Sequence, residues 1–280
     1  MTSPAAVSWT TGEVHADVLA GIAVLAIVYV AAYRRARRPV ERGRAVVFTA
    51  ALAALAGALN GPLHDLSDNF LFSAHMIQHV VLTLLVPPLL LVGTPSFMVD
   101  GLARPVLRRR VTGPLLRWAT RPLPALALYA AALAFWHLPT PYEAALEHHG
   151  WHIVQHLVLM STATIAWWPV LSPSSVLPPV SYAAQVLYLF VFGIPMTAVA
   201  AMITGAEQSL YPFYAAAPRV TSLDVLADQR LGGLIMWVPA GIIPLVAFTV
   251  VFFRWVASEP DEVELDPRAL QTAVSARSAR

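Results

Sequence analysis

The sequence contains no cysteine and no lysine, and only 12% of its 280 residues are charged. The absence of cysteine excludes disulfides, thiolate metal sites and iron–sulfur clusters. Soluble globular proteins carry about 25% charged residues, and a chain this poor in charge could not cover a soluble surface. Because 58% of the residues are hydrophobic, the composition indicates an all-α integral membrane protein.

Seven apolar runs approach or exceed the length of about 20 residues that a bilayer-crossing helix needs. They cover residues 18–33, 45–63, 70–92, 123–137, 151–171, 182–203 and 231–255. These runs predict one seven-helix membrane domain over residues 1–257. Residues 258–280 have few large apolar side chains and are expected to form a disordered cytoplasmic tail. No basic residue precedes the first run, so we expect no cleavable signal peptide.

The arginines predict the orientation of the chain in the membrane. All eighteen basic residues are arginine, and sixteen of them lie in residues 34–44, in residues 93–122 or from Arg254 onward. Cytoplasmic segments of membrane proteins carry such an excess of positive charge. The pattern therefore predicts an outer N-terminus and a cytoplasmic C-terminus. Because the arginines alternate with apolar runs, they indicate lipids rather than nucleic acid as the surrounding partner.

All nine histidines fall on the outer side of this predicted topology. They are His15, His64, His75, His79, His137, His148, His149, His152 and His156. Ionisable residues inside a membrane are costly to bury, and they are functional candidates for that reason. The one-sided distribution predicts a histidine-rich site near the outer surface.

A repeated motif places these histidines in two similar units. The pattern H-x-x-Q-H occurs at residues 75–79 and again at residues 152–156, an offset of 77 residues. In each unit an outgoing helix ends at a histidine, His64 or His137, before an outer loop and the incoming helix. Two copies in the same orientation indicate a duplicated helical hairpin formed by spans two and three and by spans four and five.

The spacing of the motif suggests a metal site. Histidines four residues apart lie on one face of a helix, and two such helices facing each other offer four imidazole nitrogens to an ion. The predicted ligands are His75, His79, His152 and His156. His64 and His137 either complete a second ion site or act as access ligands. Further candidates, as additional ligands or as groups that orient the imidazoles, are Gln78, Gln155, Asp228, His148 and His149.

Some of these candidates have a plainer interpretation. Gln78 and Gln155 are equally suited to simple hydrogen bonding between helices. Asp228 could orient a histidine or bind an ion, but it could also pair with Arg230. Imidazole nitrogens bind copper, zinc, iron and nickel, and a set of nitrogen ligands alone favours copper by intrinsic affinity.

Five segments resemble the CtaG-type cytochrome c oxidase assembly factor family of bacterial seven-pass membrane proteins. They are residues 72–79 (FSAHMIQH), 135–139 (FWHLP), 152–156 (HIVQH), 210–214 (LYPFY) and 226–239 (LADQRLGGLIMWVP). The resemblance extends from about residue 52 to residue 253. It implies a protein of the bacterial plasma (inner) membrane that helps to mature haem–copper oxidases. It also implies copper handling and contact with cytochrome c oxidase subunits.

These observations favour an assembly factor with an outward-facing polyhistidine copper site over an enzyme. One alternative is a membrane hydrolase in which histidine-bound zinc activates water and Asp228 acts as the base. Another is a haem-binding membrane protein with two histidine ligands, one from span three and one from span five. Copper is therefore the expected metal, with zinc or haem as the alternatives.

Overall fold

The computed structural model describes residues 14–258, and this part of the chain is helical throughout, with no strand. The helices are α1 Ala16–Ala36, α2 Arg42–Ala58, α3 Pro62–Asn69, α4 Phe72–Val80, α5 Val86–Gly93, α6 Ser96–Leu107, α7 Thr112–Ala119, α8 Pro122–Trp136, α9 Pro139–Glu147, α10 His149–Leu171, α11 Tyr182–Phe192, α12 Ile194–Gly205, α13 Pro212–Ala216 and α14 Val225–Ser258. A π-helical turn, Val81–Leu85, joins α4 to α5. The predicted cytoplasmic tail, beyond its first residue Ser258, lies outside the described residues.

Within the described residues, five continuous helical segments are long and apolar enough to cross a bilayer. The number reaches seven when each of two bent pairs, α2 with α3 and α8 with α9, is counted as one span. Each of the seven predicted apolar runs therefore coincides with helix. The chain has the helices of a multi-pass membrane protein, while its orientation stays a prediction.

The second predicted span, residues 45–63, is wrong at its end. The helix α2 stops at Ala58, and α3 begins at Pro62 with a bend of 47° between them. Gly61 has a φ of +71°, a backbone conformation that glycine adopts without steric cost. Pro62 then starts a new helix at its first position, where its missing N–H is not needed. As a result His64 lies on α3, beyond the bend, and not on the continuous helix α2.

The second of the two similar units repeats this bend. Helix α8 ends at Trp136, and α9 begins at Pro139 after a turn of 72°. Pro139 again occupies the first helical position. The bend places Tyr142 of α9 in the interior, with 0% of its surface exposed. Helices α2 and α8 are therefore each followed by a short, separate helix, α3 or α9, which contributes side chains to the region of the histidines.

The last predicted span is wrong at its start, because α14 begins at Val225 and not at residue 231. The Asp224 carboxylate accepts a hydrogen bond from the Ala227 backbone N–H at 2.7 Å. A side-chain acceptor of this kind satisfies one of the free N–H groups at a helix start. The early start puts Asp228 in the first turn of α14, inside the protein.

The core lies where α4, α8, α10, α12 and α14 meet. One side chain from each of these helices has 0% exposure, namely Met76, Leu133, Leu159, Ala200 and Met236. Glycine permits the close approach of α14 to α4, because a Cβ at position 232 would lie 2.4 Å from the ring of Phe72. This packing holds the first turn of α4 against α14.

A buried carboxylate on α6 anchors the loop that follows α10. Asp100, on α6, accepts hydrogen bonds from the Ser174 hydroxyl at 2.6 Å and from the Ser175 backbone N–H at 3.1 Å. Burial raises the pKa of Asp100, but the hydrogen bonds from both serines outweigh it and leave the pKa below its ordinary value. This contact stabilises the connection between α10 and α11.

Candidate metal centre

The six histidines predicted as ligands are all buried. Their exposed fractions are 0% for His75, His79 and His137, 5% for His152, 6% for His64 and 9% for His156. Buried polar groups are costly unless they find a hydrogen-bond or metal partner. The partners of these rings therefore indicate what the cluster can bind.

Three of the rings converge closely, and a fourth joins them. One ring nitrogen from each of His75, His152 and His156 lies within 4.8 Å of the other two. The Nε2 atom of His79 lies 2.9 Å from Nε2 of His75, and its ring centroid is 5.6 Å from that of His156. The two H-x-x-Q-H motifs therefore face each other, each with two imidazoles. We call these four rings the histidine cluster.

Fixed acceptors outside the cluster determine which nitrogen of His79 carries its proton. The Leu133 carbonyl can only accept, so Nδ1 of His137, 2.7 Å away, must donate to it. A neutral His137 then accepts at Nε2, where Nδ1 of His79 lies 3.2 Å away. His79 therefore carries its proton on Nδ1. Its Nε2 lone pair points into the cluster.

His75 also carries its proton on Nδ1, because of its contact with Tyr214. The Tyr214 hydroxyl donates to the Ser67 carbonyl at 2.6 Å, so its oxygen accepts from Nδ1 of His75 at 3.1 Å. His75 thus presents the lone pair of Nε2 to the cluster. The Nε2 lone pairs of His75 and His79 face each other across 2.9 Å. Two acceptors at this separation repel each other unless a proton or a metal cation lies between them.

A carboxylate orients the third ring. Oδ2 of Asp68 lies 3.2 Å from Nδ1 of His152, and a carboxylate accepts the proton of that nitrogen. Nε2 of His152 is then free to bind a metal, and it lies 3.1 Å from Nε2 of His156. Carboxylate–imidazole pairs of this kind fix the ring and raise the basicity of metal-binding histidines.

His64 is oriented by the same carboxylate. Its Nε2 lies 3.4 Å from Oδ2 of Asp68, and its Nδ1 lies 3.0 Å from Nε2 of Gln78. Gln78 also donates to the Ala58 carbonyl at 2.7 Å. His64 is therefore not part of the histidine cluster, although it reaches the cluster through Asp68.

The two glutamines of the repeat make equivalent contacts. Gln78 donates to the carbonyl at the end of α2, and Gln155 donates to the Trp136 carbonyl at the end of α8, at 3.4 Å. Within the described residues, the amide oxygens of both are buried without a hydrogen-bond partner. Gln78 therefore links α4 to α2, and Gln155 links α10 to α8, so the same contact occurs in both of the similar units.

Asp228 caps the helix that carries His75 and His79. Its carboxylate accepts from the backbone N–H groups of Phe72 at 2.8 Å and Ser73 at 3.3 Å, and also from the Ser73 hydroxyl. A negative charge here satisfies free N–H groups and complements the positive end of the helix dipole. Asp228 thus positions the cluster through the start of α4.

The remaining histidines lie toward the surface. His148 and His149 are exposed, at the start of α10. Nε2 of His149 lies 3.4 Å from Oδ2 of Asp17. His15 is half-buried, and its ring lies edge-on to that of His64 with centroids 4.1 Å apart. Neither His148 nor His149 is therefore part of the histidine cluster.

Sequence reasoning missed Asp68, Tyr214 and His15. Asp68 follows His64 by four residues, a spacing that places both on one helix face, and this was the available signal. Tyr214 lies within the segment 210–214 that carries the family resemblance, but its role follows only from the contact with His75. Nothing in the local pattern joins His15 to His64, 49 residues away.

Comparisons with known proteins agree with the resemblance. The family described as Cytochrome c oxidase caa3 assembly factor (Caa3_CtaG) matches residues 27–258. An uncharacterized protein of Mycobacterium bovis is 24% identical over 268 residues, covering 85% of this chain and 39% of that protein. An uncharacterized protein of Mycobacterium leprae is 24% identical over 258 residues, covering 83% of this chain and 37% of that protein. The chain thus spans less than half the length of these relatives. No solved structure matches it.

Proposed function

Because this chain belongs to the family of cytochrome c oxidase caa3 assembly factors, we propose that it binds copper in the histidine cluster and supplies it to a haem–copper oxidase during assembly. Copper is the cargo of this function. In the predicted orientation, the cluster lies near the outer face of the bacterial plasma membrane. The oxidase subunits that receive the copper are the expected partners, and lipids surround the helices.

The observation that supports this proposal most strongly is that imidazole Nε2 lone pairs point into the histidine cluster. Hydrogen bonds to Tyr214, His137 and Asp68 hold three of the rings with Nε2 free. Imidazole nitrogens on one tetrahedral ion, each about 2.0–2.1 Å from it, lie about 3.3 Å apart. The Nε2 atoms within each motif pair lie 2.9 Å and 3.1 Å apart, near this spacing. One nitrogen from each of His75, His152 and His156 lies within 4.8 Å of the other two, which supports a three-histidine ion site with His79 beside it.

The chemistry of the donors favours copper. Nitrogen-only sites bind copper more tightly than other divalent first-row metals, and the family description names a cytochrome c oxidase as the assembly target. The cluster also lies among buried side chains, which slows loss of a bound ion to water. Transfer to a partner therefore requires that the partner's ligands reach the cluster or that the site opens.

The alternative functions receive less support from the same contacts. A zinc hydrolase would need Asp228 as a base, but its carboxylate is engaged by the start of α4. A haem between spans three and five would need a porphyrin-wide gap between two ligand rings. The rings of His75 and His152 are 5.3 Å apart, with those of His79 and His156 packed beside them.

A deletion strain complemented with variants tests the proposed function. We expect the wild-type chain to restore caa3-type oxidase activity and the copper content of the purified oxidase. The His75→Ala/His152→Ala double variant should restore neither while accumulating in the membrane at normal levels. Gln185→Ala, which removes a buried polar side chain on α11 away from the cluster, is the control and should restore both. Full oxidase activity with the double variant would contradict the proposal.

A further inference from the structure

We propose that copper enters this protein through a surface port formed by Asp17, His15 and His149. From the port it passes inward along His64 and Asp68 to the histidine cluster. This inference rests on the proposed function, and it adds a defined loading path with residues that are not ligands of the final site.

The first observation is that the side chains of the port are more exposed than those farther in. The side chains of His149 and Asp17 are 64% and 44% exposed. Those of Asp68 and His64 are 25% and 7% exposed, and that of His152 is 6% exposed. Groups that can bind a copper ion therefore lead from the solvent-exposed start of α1 and α10 to the buried cluster.

The second observation is the short spacing at the outer end of the path. Oδ2 of Asp17 lies 3.4 Å from Nε2 of His149. The ring of His15 stacks on that of His149 with centroids 6.1 Å apart, and it meets the ring of His64 edge-on at 4.1 Å. The backbone N–H of His15 donates to Oδ1 of Asn60 at 2.9 Å, which ties the start of α1 to the end of α2.

At the inner end of the path, one carboxylate lies close to two imidazole rings. Oδ2 of Asp68 lies 3.4 Å from Nε2 of His64 and 3.2 Å from Nδ1 of His152. The carboxylate therefore touches both the last ring of the path and the first ring of the cluster. An ion bound at His64 can bind to Asp68 before it leaves His64. Small rotations of these side chains then bring the ion to the lone pairs of the histidine cluster.

A cavity joins the same two regions independently. Asp17 and His156 both line a cavity of about 440 Å³ between α1, α2 and α10. Its other walls are mainly apolar, including Ile22, Leu55 and Met160. The port and the cluster therefore adjoin one shared space, and the carboxylate of Asp17 is the acidic group on its wall.

Structural stabilisation does not explain the outer pair. An exposed carboxylate–imidazole pair such as Asp17 and His149 adds little to stability. Carboxylate and imidazole are ligands that copper accepts, and a negative charge at the mouth of a path raises the local concentration of cations. The port is therefore expected to affect how fast copper arrives rather than how tightly it is held.

The test compares copper loading rates of purified full-length chains. The wild type and the Asp17→Asn/His149→Ala double variant are mixed with Cu²⁺ in detergent, stopped with a chelator at increasing times, and analysed for bound copper. We expect the variant to load about tenfold more slowly or worse, and to reach the same final copper content and affinity as the wild type. Glu147→Gln, which changes an exposed carboxylate two residues before His149 in the sequence, is the control and should load at the wild-type rate.

The other outcomes are distinct from one another. Equal rates for the double variant and the wild type would overturn the port and leave the proposed function standing. A double variant with less copper at equilibrium would also overturn the port, because Asp17 and His149 would then belong to the binding site. A wild-type chain that takes up no copper would overturn the proposed function together with the path.

Discussion

Replacing His75 and His152 together by alanine is expected to abolish tight copper binding. Binding of zinc to a four-ligand structural site releases about 10–16 kcal/mol, or about 2.5–4 kcal/mol for each ligand. With a similar value for imidazole and copper, losing two ligands weakens binding about 10⁴-fold or more, because each 1.4 kcal/mol is a factor of ten. Elemental analysis and chelator competition on the detergent-purified chain measure this change.

Two comparisons make this result interpretable. The Gln185→Ala variant also truncates a buried polar side chain, so it should retain copper near one ion per chain if folding alone is not the cause. The double variant must elute as a single species with a normal helical spectrum. Retention of tight, stoichiometric copper by a folded double variant would contradict a site built from the histidine cluster.

Copper is expected to raise the thermal stability of the chain strongly. The lone pairs of His75 and His79 face each other at 2.9 Å, and a bound cation removes the repulsion between them. A ligand present at a thousand times its Kd stabilises the folded state by about 4 kcal/mol. For a chain of this size that corresponds to a rise in Tm on the order of 10 °C.

Differential scanning fluorimetry with and without copper measures this shift. The His75→Ala/His152→Ala variant serves as the reference, and its Tm should not respond to copper. If a shared proton and not a metal occupies the gap between the two rings, copper will leave the Tm of the wild type unchanged. An equal shift in wild type and double variant would indicate copper binding elsewhere on the chain.

Apolar runs of about 20 residues were sufficient to predict where the membrane helices lie, because burial in lipid requires such lengths. They could not predict the bends at Gly61 and after His137. A hydropathy window averages over a turn, whereas these bends depend on the conformation of one glycine and on two prolines that each start a short helix. The early start of α14 likewise depends on one capping side chain, Asp224.

The candidate site could be predicted in part because its geometry is local. Two histidines four residues apart on a helix must point the same way, and the repeated motif indicated that two such pairs belong together. The role of Asp228 could not be predicted, since it depends on a contact with Ser73, 155 residues away. The contacts of Asp68 with His152 and of Tyr214 with His75 are likewise long-range, and spacing along the chain does not encode them.

The central claim is that one copper ion is held by imidazole nitrogens of the histidine cluster, and X-ray absorption at the copper K-edge tests it most directly. In the copper-loaded, purified chain we expect a nearest-neighbour shell of nitrogen at about 2.0 Å, with the multiple-scattering pattern of three or four imidazole rings. A shell that contains sulfur, or one that lacks the imidazole pattern, would contradict the claim.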